Sequence, residues 1–411
     1  MKPSVAESPY AWLRLGVSLA LLTIGAAGMY SVVVILPSVQ AEFGVGRAQA
    51  SLPYTLTMLG FGAGGVLMGR LSDRFGVMVP VLIGSVSLGA GYLASGAAPG
   101  LWSFALLHGF LIGLLGSSAS FGPVVADVSL WFTKRRGLAV AICISGNYLG
   151  GTLWPPVVQH FVETAGWRAT QMGIGLFCVA TMLPLAFVLR RRAPALADTP
   201  PGGVRSHAGS PRALGLSPAA LQTVLCIAGV ACCVAMSMPQ VHIVAYCTDL
   251  GIPAARGAEM LSLMMGFGIV SRLASGWIAD RIGGLRTLLV GSALQAVALA
   301  FFLPSDTLGS LYVSSALFGM FQGGIVPSYP LVVREYFPPR QAGVRVGAVL
   351  TATLFGMALG GWMSGAIFDL TGSYRAAFVN GMAWNAVNLA LIGWLVLRSR
   401  SRTPAEPAPA V

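Results

Sequence analysis

The chain reads as a succession of long apolar runs, each closed by a short cluster of glycine, proline, serine or charge. A helix needs about 20 consecutive apolar residues to cross the hydrocarbon core. Counted that way, the pattern predicts twelve helices, near 13–37, 49–69, 77–97, 101–126, 137–160, 169–190, 218–247, 257–278, 287–303, 309–333, 343–367 and 376–397. The runs are continuous and do not alternate with period two, which excludes a transmembrane β-barrel. The expected fold class is all-α, a polytopic membrane protein. The longest polar stretch opens with Arg190, Arg191 and Arg192 and continues, rich in Pro, Gly and Ser, to Pro218. That composition reads as a flexible linker. The predicted organisation is a six-helix bundle over 1–192, a linker over 193–217, a second six-helix bundle over 218–400, and a disordered tail over 401–411.

Composition sharpens this picture. Of the 411 residues 55% are apolar and only 9% charged, against roughly 25% charged in a soluble domain. A mean hydropathy of +0.77 agrees. The net charge of +12 is explained by topology and not by nucleic acid, because cytoplasmic loops accumulate Lys and Arg. With both termini inside, twenty of the 25 basic residues fall on the cytoplasmic side, while Arg47, Arg168, Arg256 and Arg375 lie outside and Arg272 lies within a span. The expected location is the cell inner membrane, multi-pass, with cytoplasmic termini. The first run follows Lys2 and Arg14 without a small-residue cleavage exit and is expected to be retained. The six cysteines all fall in apolar stretches and read as core residues, with neither a disulfide framework nor a metal site. Trp131, Trp167 and Trp394 are expected at the membrane interfaces.

The two halves repeat each other. Gly69-Arg70-Leu71-Ser72-Asp73-Arg74-Phe75-Gly76 follows the second helix, and Gly276-Trp277-Ile278-Ala279-Asp280-Arg281-Ile282-Gly283 follows the eighth. Duplication within a polytopic helical chain is a mark of secondary transporters. These motifs, with twelve helices split by a central linker, resemble the major facilitator superfamily over nearly the whole chain. The resemblance implies two pseudo-symmetric six-helix bundles and a conformational gate at Gly69, Asp73, Arg74, Gly76, Gly276, Asp280, Arg281 and Gly283. In that family the loop after helix 2 latches the outward-open state; charges that only anchor topology are the alternative.

Finer features narrow the resemblance. Phe121-Gly122-Pro123, Trp131-Phe132-Thr133-Lys134-Arg135-Arg136, His242-Ile243-Val244-Ala245-Tyr246 and Ser271-Arg272-Leu273-Ala274-Ser275-Gly276 are similar to signatures of the monocarboxylate-porter and oxalate/formate-antiporter group. Arg272 matches that group's substrate-binding arginine. Animal monocarboxylate porters carry an acid one turn before it, whereas this chain has Gly268, so relay through an Asp–Arg pair does not transfer.

Arg272 also stands out on its own chemistry. It lies eight residues before Asp280, which is about 12 Å into the membrane. An arginine at that depth costs at least about 2.5–3.5 kcal/mol on insertion scales. Small neighbours at Gly268, Ser275 and Gly276 leave room for a ligand, and the always-charged fork suits a carboxylate. Snorkelling toward Asp280 is the alternative. His242 is a candidate for substrate contact and for proton coupling, since imidazole titrates near neutral pH. Tyr30, Asn147, Tyr148, Gln322, Ser328 and Tyr329 are polar groups at membrane depth that either line a cavity or join helices. Phe121 falls where related porters pack an aromatic on the substrate. No nucleotide-binding P-loop is present, so the energy is expected to come from a solute or ion gradient, and nothing in the sequence points to an enzyme, a cofactor or a metal. The expected partners are a small-molecule substrate, a carboxylate by these signs, and the lipid bilayer; nucleic acid is not expected, and the protein is expected to be a monomer. The leading function is secondary active transport of a small organic anion, with proton symport as coupling. A larger neutral or amphipathic solute, or a non-transporting receptor, are the alternatives.

Overall fold

The computed structural model describes residues 7–133, 135–191 and 213–400. Most of the expected linker and the whole 401–411 tail lie outside the described residues. Twelve long helices follow in order: α1 (Pro9–Val34), α2 (Leu52–Phe75), α3 (Met78–Gly96), α4 (Leu101–Trp131), α5 (Arg136–Ala165), α6 (Trp167–Val188), α7 (Pro218–Asp249), α8 (Ala254–Ile282), α9 (Gly284–Phe302), α10 (Leu308–Tyr336), α11 (Pro339–Thr371) and α12 (Tyr374–Arg400). Eleven are long and apolar enough to cross a membrane; α2 falls short because Pro53, Tyr54, Thr55 and Thr57 near its start, together with its glycines, dilute the apolar run. Several helices outrun their predicted ends. Hydropathy marks only the stretch that meets hydrocarbon, whereas backbone hydrogen bonding carries α5 on to Ala165 and α11 to Thr371. The expected first helix instead stops at Val34, and the polar stretch after it forms two short helices, Leu36–Phe43 and Arg47–Ala50.

Lipid tails are as apolar as leucine, so helices in a membrane associate by close packing at small residues. Here Cβ atoms placed at Gly60 and Gly64 of α2 would lie 2.1 and 2.0 Å from the carbonyl oxygens of Gly109 and Leu114 in α4. In the second half, Gly319 and Gly323 of α10 approach the carbonyls of Met264 and Gly268 in α8 as closely, at 2.2 and 2.4 Å. The stretch His108–Ser117 of α4 is π-helical and sets Gly109 and Gly113 against Leu56 and Thr57.

The repeated motif produces the same turn twice. Gly76 and Gly283 have φ of +87° and +85° and bond back to the carbonyls of Ser72 and Ala279. That backbone region favours glycine, which explains why glycine closes both copies. Basic side chains including Arg70, Arg74, Arg135, Arg136, Arg190, Arg191, Arg281 and Arg286 gather at one end of the molecule, here termed the basic face.

Inside the first half, Arg14 of α1 is buried and forms a bidentate pair with Asp127 of α4, with Nε and Nη2 at 2.7 and 2.8 Å from the two carboxylate oxygens. Its guanidinium lies 4.7 Å from the Trp131 ring centre. Trp131 and Trp167, at the end of α4 and the start of α6, are buried, each held by a charged neighbour: Arg14 in one case, and Glu42 accepting the indole N–H at 2.5 Å in the other. Trp394 is exposed.

Candidate functional site

Arg272, Asn147 and Tyr30 come together where α1, α5 and α8 meet, joined by Tyr148. The Tyr30 hydroxyl donates to Asn147 Oδ1 at 3.3 Å, and Asn147 Nδ2 reaches Met29 Sδ at 3.5 Å. Gly151, one turn further along α5, leaves space for Tyr30 and Met265: a Cβ there would sit 2.7 and 2.6 Å from them. The Arg272 guanidinium lies 3.9 Å from the centre of the Tyr148 ring. Its Nε is buried and has no hydrogen-bond partner. No carboxylate pairs with it among the described residues.

The Tyr148 ring also accounts for the missing acid. A Cβ at Gly268 would lie 2.3 Å from Tyr148 Cε1 and 2.6 Å from Cδ1, so no side chain fits beside Arg272 while that ring is in place. Spacing along α8 alone left this open, because the obstruction comes from another helix.

The remaining candidates form no hydrogen bond or ring contact with these residues among the described ones. Gln322 is fully buried on α10 with neither amide atom partnered. Tyr329 is buried within the second half, donating to Asn388 Oδ1 of α12 at 3.4 Å. Phe121 is partly exposed and packs edge-on against Phe61 of α2 at 5.8 Å. His242 is buried with both ring nitrogens engaged: Nε2 lies 2.8 Å from the Gly361 carbonyl and Nδ1 lies 3.1 Å from the Tyr374 hydroxyl. A carbonyl only accepts, so Nε2 carries a proton, and in the neutral ring Nδ1 accepts from Tyr374.

The face opposite the basic one is closed by Arg47, which reasoning from sequence passed over as one of four loop arginines. Arg47 Nη2 pairs with Asp249 Oδ1 at the end of α7 at 2.5 Å. Its guanidinium stacks over Phe368 at 5.1 Å and approaches Tyr374 at 5.9 Å. Asp369 of α11 accepts the backbone N–H groups of Arg47 and Ala48 at 2.8 and 2.9 Å, capping the short helix Arg47–Ala50. One arginine thus ties the first half to three helices of the second.

The seams between the halves open toward the basic face. Along α2 and α11, glycines near the closed face are tightly covered: a Cβ at Gly365 would sit 2.8 Å from the backbone of Arg47 and Ala48, and one at Gly361 would sit 3.1 Å from Tyr54. At Gly65, Gly69, Gly347 and Gly343, further along the same helices, a Cβ would meet nothing within 4 Å. Along α5 and α8 the same change occurs, from Gly151 and Gly268 to Gly137 and Gly276. Asp73, Arg74, Asp280 and Arg281 lie at that open end, exposed, and neither aspartate forms an ion pair among the described residues.

Comparison with known proteins agrees with this architecture. A family model of the Major Facilitator Superfamily matches residues 18–311 and 225–410. The chain is 27% identical over 337 residues to the MFS-type transporter opdF of Penicillium oxalicum, covering 79% of this chain and 77% of that protein. It is 28% identical over 317 residues to monocarboxylate transporter 13 of Rattus norvegicus, covering 75% and 71%. A bacterial homologue of the human lysosomal transporter Spinster, solved in an inward-facing and occupied conformation, superposes with a TM-score of 0.71 at 14% identity, over 98% of this chain and all of that one. The chain is a multi-pass membrane protein and belongs to the major facilitator superfamily.

Proposed function

We propose that this transporter is a secondary active carrier of a small organic anion, a monocarboxylate, moved across the inner membrane by alternating access with the basic face in the cytoplasm. The observation that carries this reading is Arg272, a half-buried residue whose Nε has no partner and whose guanidinium lies on an aromatic face. A permanent charge held at membrane depth is costly, and a bound carboxylate relieves that cost while gaining a bidentate pair. The similarity to a monocarboxylate transporter supports the substrate class. Tyr30 and Asn147 border the same space and would supply neutral hydrogen bonds; Phe121, Gln322 and Tyr329 would act in other states of the cycle. The halves 1–192 and 218–400 would rock as units in a monomer, with Arg47 holding one face shut and the loops at Gly69–Gly76 and Gly276–Gly283 pairing when the other closes.

Purified protein in liposomes should take up radiolabelled short-chain monocarboxylates, and the same acids should raise its melting temperature. Stabilisation by neutral amphipathic solutes, without any by carboxylates, would put the alternative substrate class in its place.

We assign proton coupling to His242. With the closed face sealed, both nitrogens are occupied and Arg47 and Asp369 act electrostatically on the ring. Opening that face would withdraw Arg47, which belongs to the other half, and with it a like charge that opposes protonation of the ring; Nδ1 could then take a proton and donate to the Tyr374 oxygen. His242→Gln should then flatten the pH dependence of uptake between about pH 5.5 and 8 while exchange of substrate across the membrane continues. A wild-type pH profile in this variant would move coupling elsewhere.

A further inference from the structure

Building on the organic-anion reading above, we propose that Tyr148 is the positioning residue for Arg272 and selects planar carboxylates over tetrahedral oxyanions. Four residues stack in one line across three helices. Gly323 of α10 lies against the backbone of Gly268 in α8, with a Cβ there 2.4 Å from the Gly268 carbonyl. Gly268 in turn supports the Tyr148 ring, which is buried and contacts the position a Cβ would occupy at 2.3 Å. The guanidinium carbon of Arg272 lies 3.9 Å from that ring's centre.

The stack has no slack. The ring cannot retreat into α8 because the glycine behind it is already in backbone contact with α10, so the guanidinium it supports cannot tilt through that side. An arginine lying on an aromatic face is held by the ring quadrupole and keeps its fork edge free. One face of the guanidinium is covered, and Nε is buried. Ligand therefore approaches along the edge, in the plane of the fork. A carboxylate places both oxygens in that plane. A phosphonate bound through two oxygens directs its remaining substituents to either side of the plane, one of them toward the ring, and an oxygen there meets the negative π face.

The test uses the full-length protein in detergent with two probes that share an ethyl group and differ in the acid, propionate and ethylphosphonate, and measures Kd for each by calorimetry alongside the melting temperature of the free protein. Wild type should bind propionate more tightly. Tyr148→Leu should weaken propionate roughly tenfold and shrink its advantage over ethylphosphonate, and Tyr148→Phe, which keeps the ring, should recover both. Gly268→Ala should reproduce the Tyr148→Leu result by displacing the ring from behind. Wild-type affinity and preference in Tyr148→Leu would overturn the proposal. So would equal losses for both probes accompanied by a lowered melting temperature, which marks a purely structural role. Wild-type protein that binds propionate no tighter than ethylphosphonate removes the selectivity alone, whereas failure to bind any short-chain carboxylate removes the organic-anion reading beneath it.

Discussion

Arg272→Ala should abolish carboxylate uptake while leaving a folded protein. The guanidinium has no acidic partner among the described residues, so its removal breaks no ion pair and strands no buried carboxylate. The contact with the Tyr148 ring is what is lost. An unpaired charge at membrane depth is costly to hold and its deletion removes that cost, so the melting temperature without ligand should stay level or rise. Binding should suffer much more. A hydrogen bond to a charged group contributes about 1.5–3 kcal/mol, so losing the bidentate pair should weaken carboxylate affinity roughly ten- to a hundredfold. Arg272→Lys should restore only part of it, because an ammonium offers no planar fork. Thermal shift with propionate and uptake into liposomes, compared across the three proteins, measure this. Wild-type carboxylate affinity in the alanine variant would leave the organic-anion reading without its main support.

Arg47→Ala should release the closed face. The variant loses the 2.5 Å bond to Asp249 and the stacking on Phe368 and Tyr374, while Asp369 keeps its bonds to the backbone of residues 47 and 48. The pair exists only when the two halves meet at this face, so its strength counts entirely toward the closed arrangement. At about 1.5–3 kcal/mol for a bond between charged groups, the ratio of closed to open molecules should fall roughly ten- to a hundredfold. Spin labels at the exposed positions Ala41 and Leu370, one on each half, should report a distance distribution shifted to longer values. Asp249→Asn should shift it in the same direction, less far, because the amide still accepts a neutral hydrogen bond. An unchanged distribution in Arg47→Ala would reduce the residue to local packing.

Much of the molecule follows from local constraints and is legible in the order of the residues. A span must match the hydrocarbon thickness with contiguous apolar side chains, so the helices could be placed from apolar runs alone. Only α2 blurs, where Pro53, Tyr54, Thr55 and Thr57 join its glycines in lowering the hydropathy. The glycines that close the two repeated motifs have left-handed φ in both copies, a demand visible as identical residue types at identical spacing. Arg272 declares itself because a permanent charge far from either end of an apolar run has no inexpensive place to go.

Tertiary packing decided the rest. Arg47 differs in no local respect from Arg168, Arg256 or Arg375, yet it meets partners 202 and 322 residues away and seals one face. Arg14 and Asp127, separated by 113 positions, form a buried pair although both lie close to helix ends. Gly268 looked like a missing acid until the ring of Tyr148, from a different helix, was found to fill its place. The common reason is rotational. A helix in water buries an apolar stripe that its sequence displays, but a helix in lipid is apolar on every side. Which face turns toward a neighbour is then set by the fit of small residues against backbone and by the few polar groups that find partners. Those matches exist only once all twelve helices are together.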